Sequence, residues 1–412
     1  MKKKIIVRGP FLSQSGYGEQ ARFALRSLRS KEDLFDIYLA PIPWGQTGWI
    51  WEDNEFRRWM DERIGITSDL IQKQEFAPDM SLQVTIPNEF EKLAPINYGY
   101  TAGIESTNVS PNWLVKANEM DGLVVISNFA KTGFTDTVAI AKNNETGEEM
   151  PYSLQTEITP VNYAVRHVEP EPIPNFKLDK SFNFLVVSQM GPRKNMENTI
   201  QWWVEEFIDQ DVGLIVKTNF RGCCQIDREH TFAYLKKLLE RYPERKCSVK
   251  LLHGDLTEGQ MFSLYNHKKI KAFINIAHGE GFGLPLFEAA QCALPIITIG
   301  WGGQLDFLEH NGKKYFTEVD YELAQVQPEA VWKGVLEENT SWAYADQGSF
   351  KMSLRKVKNN WKEAKKQARD LKKIVMKEFT EEKQFEQFCN ALYNPSEEDL
   401  EWMEELSKIE VL

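Results

Sequence analysis

The residues best suited to chemistry lie in one stretch, His278-Gly279-Glu280-Gly281-Phe282-Gly283-Leu284-Pro285-Leu286-Phe287-Glu288-Ala289-Ala290. Glycines at alternate positions let the backbone turn tightly and let a ligand come close. Pro285 suits the first position of a helix, where its missing N–H costs nothing, and Glu288 then falls in the first turn. Free amides ahead of a helix N-terminus suit an anion or a ring of hydroxyls. The carboxylates of Glu280 and Glu288 accept hydrogen bonds and so match sugar hydroxyls. A second group, Ser188-Gln189-Met190-Gly191-Pro192-Arg193-Lys194-Asn195, places two cations side by side. Arg193 can grip a phosphate in a fork and Lys194 as a point charge; the plain alternative is a solvent-facing basic turn. Lys217, at the end of a predicted strand, is a further phosphate candidate. Asp209-Gln210-Asp211 has the form of a metal-binding triplet, but it lies in a polar turn before a strand and reads as a loop, so no metal is expected.

These groups need strands to hold them. Apolar runs predict strands at 4–8, 35–40, 82–86, 96–101 and 122–127, with helical spacing between them, as in Ala21, Ala24, Leu25 and Leu28. Around 166–180 three prolines (Pro170, Pro172, Pro174) block regular structure and mark a linker. A second series follows, with strands at 184–188, 213–217, 249–252, 272–276 and 295–299. Strands alternating with helices imply parallel, doubly wound sheets, whose ligands bind beyond the carboxyl ends of the strands. The expected architecture is α/β with two Rossmann-like domains facing a cleft. The first spans residues 1–170, the second 178–377, and 378–412 returns to the first.

Length and composition agree. A chain of 412 residues suggests two or three domains, and 42% hydrophobic with 26% charged residues excludes a disordered or low-complexity protein. The net charge of −11 argues against general nucleic-acid binding. It conceals a basic stretch, 11 Lys or Arg between Lys351 and Lys377 against Glu363 and Asp370. That stretch reads as a solvated helix face or as a contact for an anionic or membrane surface. An acidic run follows, including Glu397, Glu398 and Asp399. Five cysteines form no CxxC pair, so reduced thiols are expected. The apolar run after Lys2-Lys3-Lys4 is too short for a signal-peptide core, and the expected location is cytoplasmic.

The segment Glu280-Gly281-Phe282-Gly283-Leu284-Pro285 followed by Glu288-Ala289 resembles the Glu-x7-Glu motif of retaining glycosyltransferases of family 4, which have the GT-B fold. The resemblance implies that Glu280 contacts the hydroxyls of a donor sugar and Glu288 the nucleotide ribose. It also implies that the loop at Gly281, Phe282, Gly283 and Leu284 meets the sugar and phosphates through its backbone. The 188–195 segment is similar to the family's basic donor-diphosphate segment. The earlier Gly-Arg pair is absent, with Ser188-Gln189 in its place, so Arg193 and Lys194 carry that role. His253-Gly254-Asp255-Leu256 corresponds to the loop against the nucleotide base, with His253, Gly254 and Leu256 as donor contacts. Trp301-Gly302-Gly303-Gln304 is either a further set of free amides near the donor or an ordinary turn.

In the first half, Gly16-Tyr17-Gly18 resembles the family's Gly-rich loop, which faces the donor phosphate. Gly16-x-Gly18-x-x-Ala21 with Asp36 also fits a loose dinucleotide fingerprint, but Gly16 lies too far from the strand end for that fold. The first 166 residues contain no His where many relatives place one; Glu105 resembles the Glu of a subset. It would hydrogen-bond the donor sugar or accept the acceptor's proton, or it is a helix-capping acid. Val124-Val125-Ile126-Ser127-Asn128-Phe129 matches the family's strand-then-Ser-x-Phe pattern. Trp44, Trp49 and Trp51 form an aromatic concentration, either an acceptor platform or a local hydrophobic cluster.

The resemblance therefore implies sugar transfer from a nucleotide-sugar donor to a saccharide, lipid-linked glycan or other hydroxyl acceptor. No essential metal and no cofactor beyond the donor are implied. Attack comes from the face of the departing phosphate, which helps to take the proton. A non-catalytic nucleotide-sugar-binding protein and a nucleotide-sugar epimerase on the same scaffold are the alternatives.

Overall fold

The computed structural model describes residues 2–142 and 146–394; the acidic run at Glu397–Asp399 lies outside them. The chain divides into two compact units. The described residues of the first fall within Met1–Gly103, Val109–Ala164 and Glu381–Leu412; the second comprises Ile104–Asn108 and Val165–Thr380.

Each unit is built on a parallel sheet that is six-stranded among the described residues. In the first unit the spatial order is Phe35–Pro41, Lys3–Gly9, Met80–Val84, Ile96–Thr101, Gly122–Val125 and Ile158–Pro160. In the second it is Ser248–Leu252, Gly213–Lys217, Asn183–Val187, Ile270–Asn275, Ile296–Ile299 and Thr317–Val319. Numbered in chain order within each sheet, the first order is 2-1-3-4-5-6 and the second 3-2-1-4-5-6; both are doubly wound, as expected from the alternating runs. The strands are legible because both faces are covered: Gly213-Leu214-Ile215-Val216 is buried throughout, as an unbroken apolar run in a parallel sheet should be.

Two strand ends fall short of expectation for local reasons. The third strand stops at Val84 because Pro87 opens a 3₁₀ turn, Pro87–Glu89. The fifth stops at Val125, and the Ser127 side chain accepts from the Ala130 amide at 3.1 Å to cap the next helix.

In the second unit, Asn183–Val187 is flanked by Gly213–Lys217 on one side and Ile270–Asn275 on the other. The connections change direction there, so the crevice between the carboxyl ends of Asn183–Val187 and Ile270–Asn275 is the place for a ligand. Beneath it lies a core in which Phe184, Trp203 and Phe207 are fully buried, with Phe184 and Phe207 stacked at 5.3 Å. A hairpin, Tyr321–Gln325 with Ser341–Ala345, follows the last strand.

The basic stretch forms two helices, Gln347–Asn359 and Trp361–Glu378. The second buries Ala368, Leu371 and Val375, spaced by three and four residues as a helix requires. Lys351 and Arg355 pair with Glu205 and Glu206 at 2.7 and 3.1 Å, while Lys362, Lys366, Arg369 and Lys373 stay exposed. The last described helix, Glu381–Leu392, belongs to the first unit and packs on Gly16–Arg29, with Phe388 edge-on to Phe23 at 5.6 Å. No helix among the described residues is long and apolar enough to cross a membrane.

Candidate active site

Two loops leave the sheet on either side of the second unit's crevice, and hydrogen bonds tie them together. After Val187 the chain runs to a 3₁₀ turn, Pro192–Lys194, and Asn195 takes a left-handed conformation (φ 50°) at the head of helix Met196–Phe207. The Asn195 side-chain amide donates to the Ile276 carbonyl at 3.1 Å, and the His278 backbone amide donates to the Arg193 carbonyl at 2.8 Å. The motif loop is anchored at its start by His278. This residue is buried, stacks on Trp342 at 5.4 Å and donates through Nδ1 to the Ala343 carbonyl at 2.9 Å. Burial pushes its pKa below the ordinary value, so it stands neutral as a structural post.

At the other end Gly283 caps helix Leu284–Gln291 with φ 85°, a left-handed conformation that favours glycine. The helix therefore starts at Leu284. Pro285 takes its second position rather than its first, and Glu288 its fifth rather than its first turn. The Gly283 and Leu284 amides make no hydrogen bond among the described residues. Gly281 is buried, and the Phe282 ring is buried against Phe287 and Phe307 at 5.1 and 5.0 Å, so the ring serves packing.

Charge gathers in this crevice. The Lys194 ammonium donates to both oxygens of Glu280 at 2.7 Å. Arg193 reaches Glu280 Oε2 at 3.3 Å, the Gly279 carbonyl at 2.6 Å and Glu105 at 3.0 Å. The Asn275 side-chain amide, at the end of its strand, donates to Glu280 Oε1 at 3.0 Å. Glu280 has a side chain only 8% exposed. Burial works against its carboxylate, but Lys194 and Arg193 outweigh burial and bring its pKa down to about 2. Burial and the neighbouring Arg193 lower the pKa of Lys194, against the pull of Glu280. For Arg193, burial opposes the charge, and Glu105 with Glu280 more than offset it.

Glu105 lies in the first half of the sequence yet groups with the second unit. Ile104 packs against the cluster of Val326, Leu336 and Trp342. Thr107 donates its amide to the Ser341 carbonyl at 3.2 Å and receives the Ser341 amide on its hydroxyl at 3.0 Å. The Glu105 carboxylate is an ion-pair partner of Arg193, not a helix cap. Sequence alone does not single out Asn275; the available signal is a polar residue closing a mostly apolar, buried strand.

The remaining donor candidates lie along the same sheet edge. Lys217 ends its strand in register with Val187 and Leu252. His253 pairs with Asp227 at 2.8 Å, leaving its backbone and that of Gly254 (φ 107°) and Leu256 on the loop after Leu252. Glu288 faces the buried Tyr265 hydroxyl, whose pKa burial and Glu288 raise well above the usual value.

In the first unit, Gly16 and Gly18 sit in the first turn of helix Gly16–Arg29 rather than in a loop. Ser15 caps that helix by accepting from the Gly18 amide at 3.0 Å. A Cβ on Gly18 would stand 2.0 Å from the Ser13 carbonyl, so the turn closes only with glycine there. The aromatic loop folds onto the same place: Gln14 donates to Gly48 and Ile50 to Leu12, each at 2.8 Å. Trp44 rests on Tyr17 at 4.3 Å, while Trp49 and Trp51 are 60% and 63% exposed.

Residues 169–326 match the family model described as Glycosyl transferases group 1. A probable sucrose-phosphate synthase of Thermosipho melanesiensis is 28% identical over 148 residues, which are 35% of this chain and 32% of that protein. The chain thus matches about a third of the length of that curated relative. Among solved structures, a sucrose-phosphate synthase of Thermosynechococcus elongatus superposes with a TM-score of 0.61 at 11% identity, covering 94% of this chain and 98% of that one. A glycosyltransferase of Rickettsia africae gives 0.59 at 13%, covering 96% and 100%. The Anabaena protein HepE, solved with UDP and glucose, gives 0.57 at 13%, covering 95% and 99%. The chain has the GT-B fold, and Arg193, Lys194 and Glu280 all lie inside its match to the group 1 glycosyl transferases.

Proposed function

We propose that this chain is a retaining glycosyltransferase of family 4, working in the cytoplasm without a metal, that moves a sugar from a nucleotide-sugar donor to an acceptor hydroxyl. The observation that carries the reading is the Glu280 carboxylate, held by Lys194, Arg193 and Asn275 at the switch point of the second sheet, within the matched residues.

Glu280 is aimed by three donors, so its orientation is set before substrate arrives. A carboxylate offers about four acceptor sites. Here Oε1 receives Lys194 and Asn275, and Oε2 receives Lys194 and Arg193. Room for sugar hydroxyls opens when Lys194 releases Glu280, and the diphosphate of an arriving donor is the anion that would draw it away. Sugar and diphosphate are then recognised together. As the glycosidic bond breaks, negative charge grows on the leaving phosphate. Lys194 and the unbonded amides of Gly283 and Leu284, at the positive end of helix Leu284–Gln291, are the groups that meet it. Glu288 holds the ribose, and in the first unit the exposed Trp49 and Trp51 with Trp44 offer the acceptor platform.

The test is incubation of purified protein with a panel of nucleotide sugars and saccharide acceptors, with the product's anomeric configuration read by NMR. Transfer with retained configuration is expected, and EDTA should not abolish it. Tight donor binding without turnover would favour a non-catalytic binder, and isomerisation of the donor alone an epimerase.

A further inference from the structure

The charge cluster is complete without a ligand. Arg193 and Lys194 contribute two positive charges, Glu105 and Glu280 two negative ones, and the ion pairs among them leave the group formally neutral. A nucleoside diphosphate brings at least two negative charges to a buried place, where an unbalanced charge is expensive. Another cation should therefore stand on the same sheet edge.

Lys217 meets that description. It ends the strand next to Asn183–Val187, and the two chains stay zipped beyond the sheet: Ser188 donates to the Lys217 carbonyl at 3.1 Å and Met190 to the Asn219 carbonyl at 2.8 Å. Lys217 therefore emerges beside the loop that carries Arg193 and Lys194. Gln189, on that loop, is uncharged and donates its side-chain amide to the Phe220 carbonyl at 2.8 Å. The Lys217 ammonium makes no hydrogen bond or ion pair among the described residues. Its electrostatic neighbours are the Cys223 thiol and the Asp255 carboxylate. Burial and Asp255 push the thiol up to about 12, so it is not a counter-anion. Burial holds the pKa of Lys217 itself below the ordinary value, the mark of a cation lacking sufficient compensation.

We propose that Lys217, and not Arg193, is the second cation on the donor's diphosphate, with Arg193, itself held by Glu105, acting as a positioning residue that pins Glu280 and the Gly279 carbonyl. The proposal rests on the nucleotide-sugar reading. Calorimetric titration of wild type, Lys217→Met and Lys217→Arg with UDP, GDP and ADP, each beside its parent nucleoside, tests it. Lys217→Met should weaken the best-bound diphosphate about 10- to 100-fold, the range for a lost charge-assisted hydrogen bond, and leave the nucleoside unchanged. Lys217→Arg should recover most of the loss, which a fold defect would not allow. Unaltered diphosphate affinity in Lys217→Met, or an equal loss for nucleoside and diphosphate, overturns the assignment while leaving the donor reading standing. Absence of binding by wild type to every diphosphate overturns the donor reading and this proposal together.

Discussion

Both sheets are parallel and doubly wound, with strand orders that differ on one side only, yet the loops that leave the first strand of each carry opposite kinds of chemistry. In the first unit the chain from Gly9 to Gly18 holds no charged residue and offers hydroxyls, amides and an aromatic neighbour in Trp44. In the second unit the corresponding loop brings Arg193 and Lys194 against Glu280 and Glu105. Topology makes a crevice in both places; the side chains hung on the strand ends decide what the crevice can hold. The charged one suits the part of a reaction where charge develops, while the uncharged one offers only neutral hydrogen-bonding groups.

The comparison breaks most sharply at Glu280. Glu280→Gln should lower the turnover number about 10²- to 10³-fold, the scale for a lost preorganised electrostatic group, with the fold retained by circular dichroism. Turnover near wild type would place the chemistry elsewhere. Glu105→Gln changes the cluster from neutral to formally +1. Nucleoside diphosphate should bind about 3- to 10-fold tighter, a modest Coulomb gain in a partly screened site, while turnover falls because Arg193 loses one anchor. Calorimetry beside a rate assay reads both. Trp49→Ala and Trp51→Ala should raise the acceptor KM about 2- to 10-fold, as loss of an aromatic face does, and leave donor affinity alone; a change in donor affinity would overturn the proposed acceptor role. The smallest effect is on pH. Glu280 has its folded pKa depressed from 4.5 to about 2, so its contribution to stability is present above pH 4.5 and fades as the pH falls toward 2. The difference in melting temperature between wild type and Glu280→Gln should be flat above pH 5 and shrink below it.

Sequence legibility followed range. Strands 213–217 and 96–101 and the helix after the Gly-rich motif were readable because apolar runs and proline positions are local signals. The helix start was misplaced by one residue because Gly283, by adopting φ 85°, took the cap itself. The pairing of Arg193 with Glu105 spans 88 positions and leaves no periodic trace. Nor does His278, whose stacking on Trp342 shows only in three dimensions. The strand Thr317–Val319 was invisible because three residues with one buried apolar side chain carry no pattern. The same limit hid the saturation of Glu280: which residues are charged is written in the sequence, but not whether those charges are already spent on one another.

Five residues, Ile104–Asn108, belong by contact to one unit and by covalent neighbourhood to the other, since Gly103 and Val109 on either side both group with the first. This matters for anyone dissecting the molecule by truncation. A fragment expressed from residue 165 onward would keep Arg193, Lys194 and Glu280 but lose Glu105, leaving an excess positive charge and an uncovered apolar face at Val326, Leu336 and Trp342. Ligand affinities measured on such a fragment would describe a different electrostatic object. A graft that restores the 104–108 peptide, or work on the intact chain, is the sounder route.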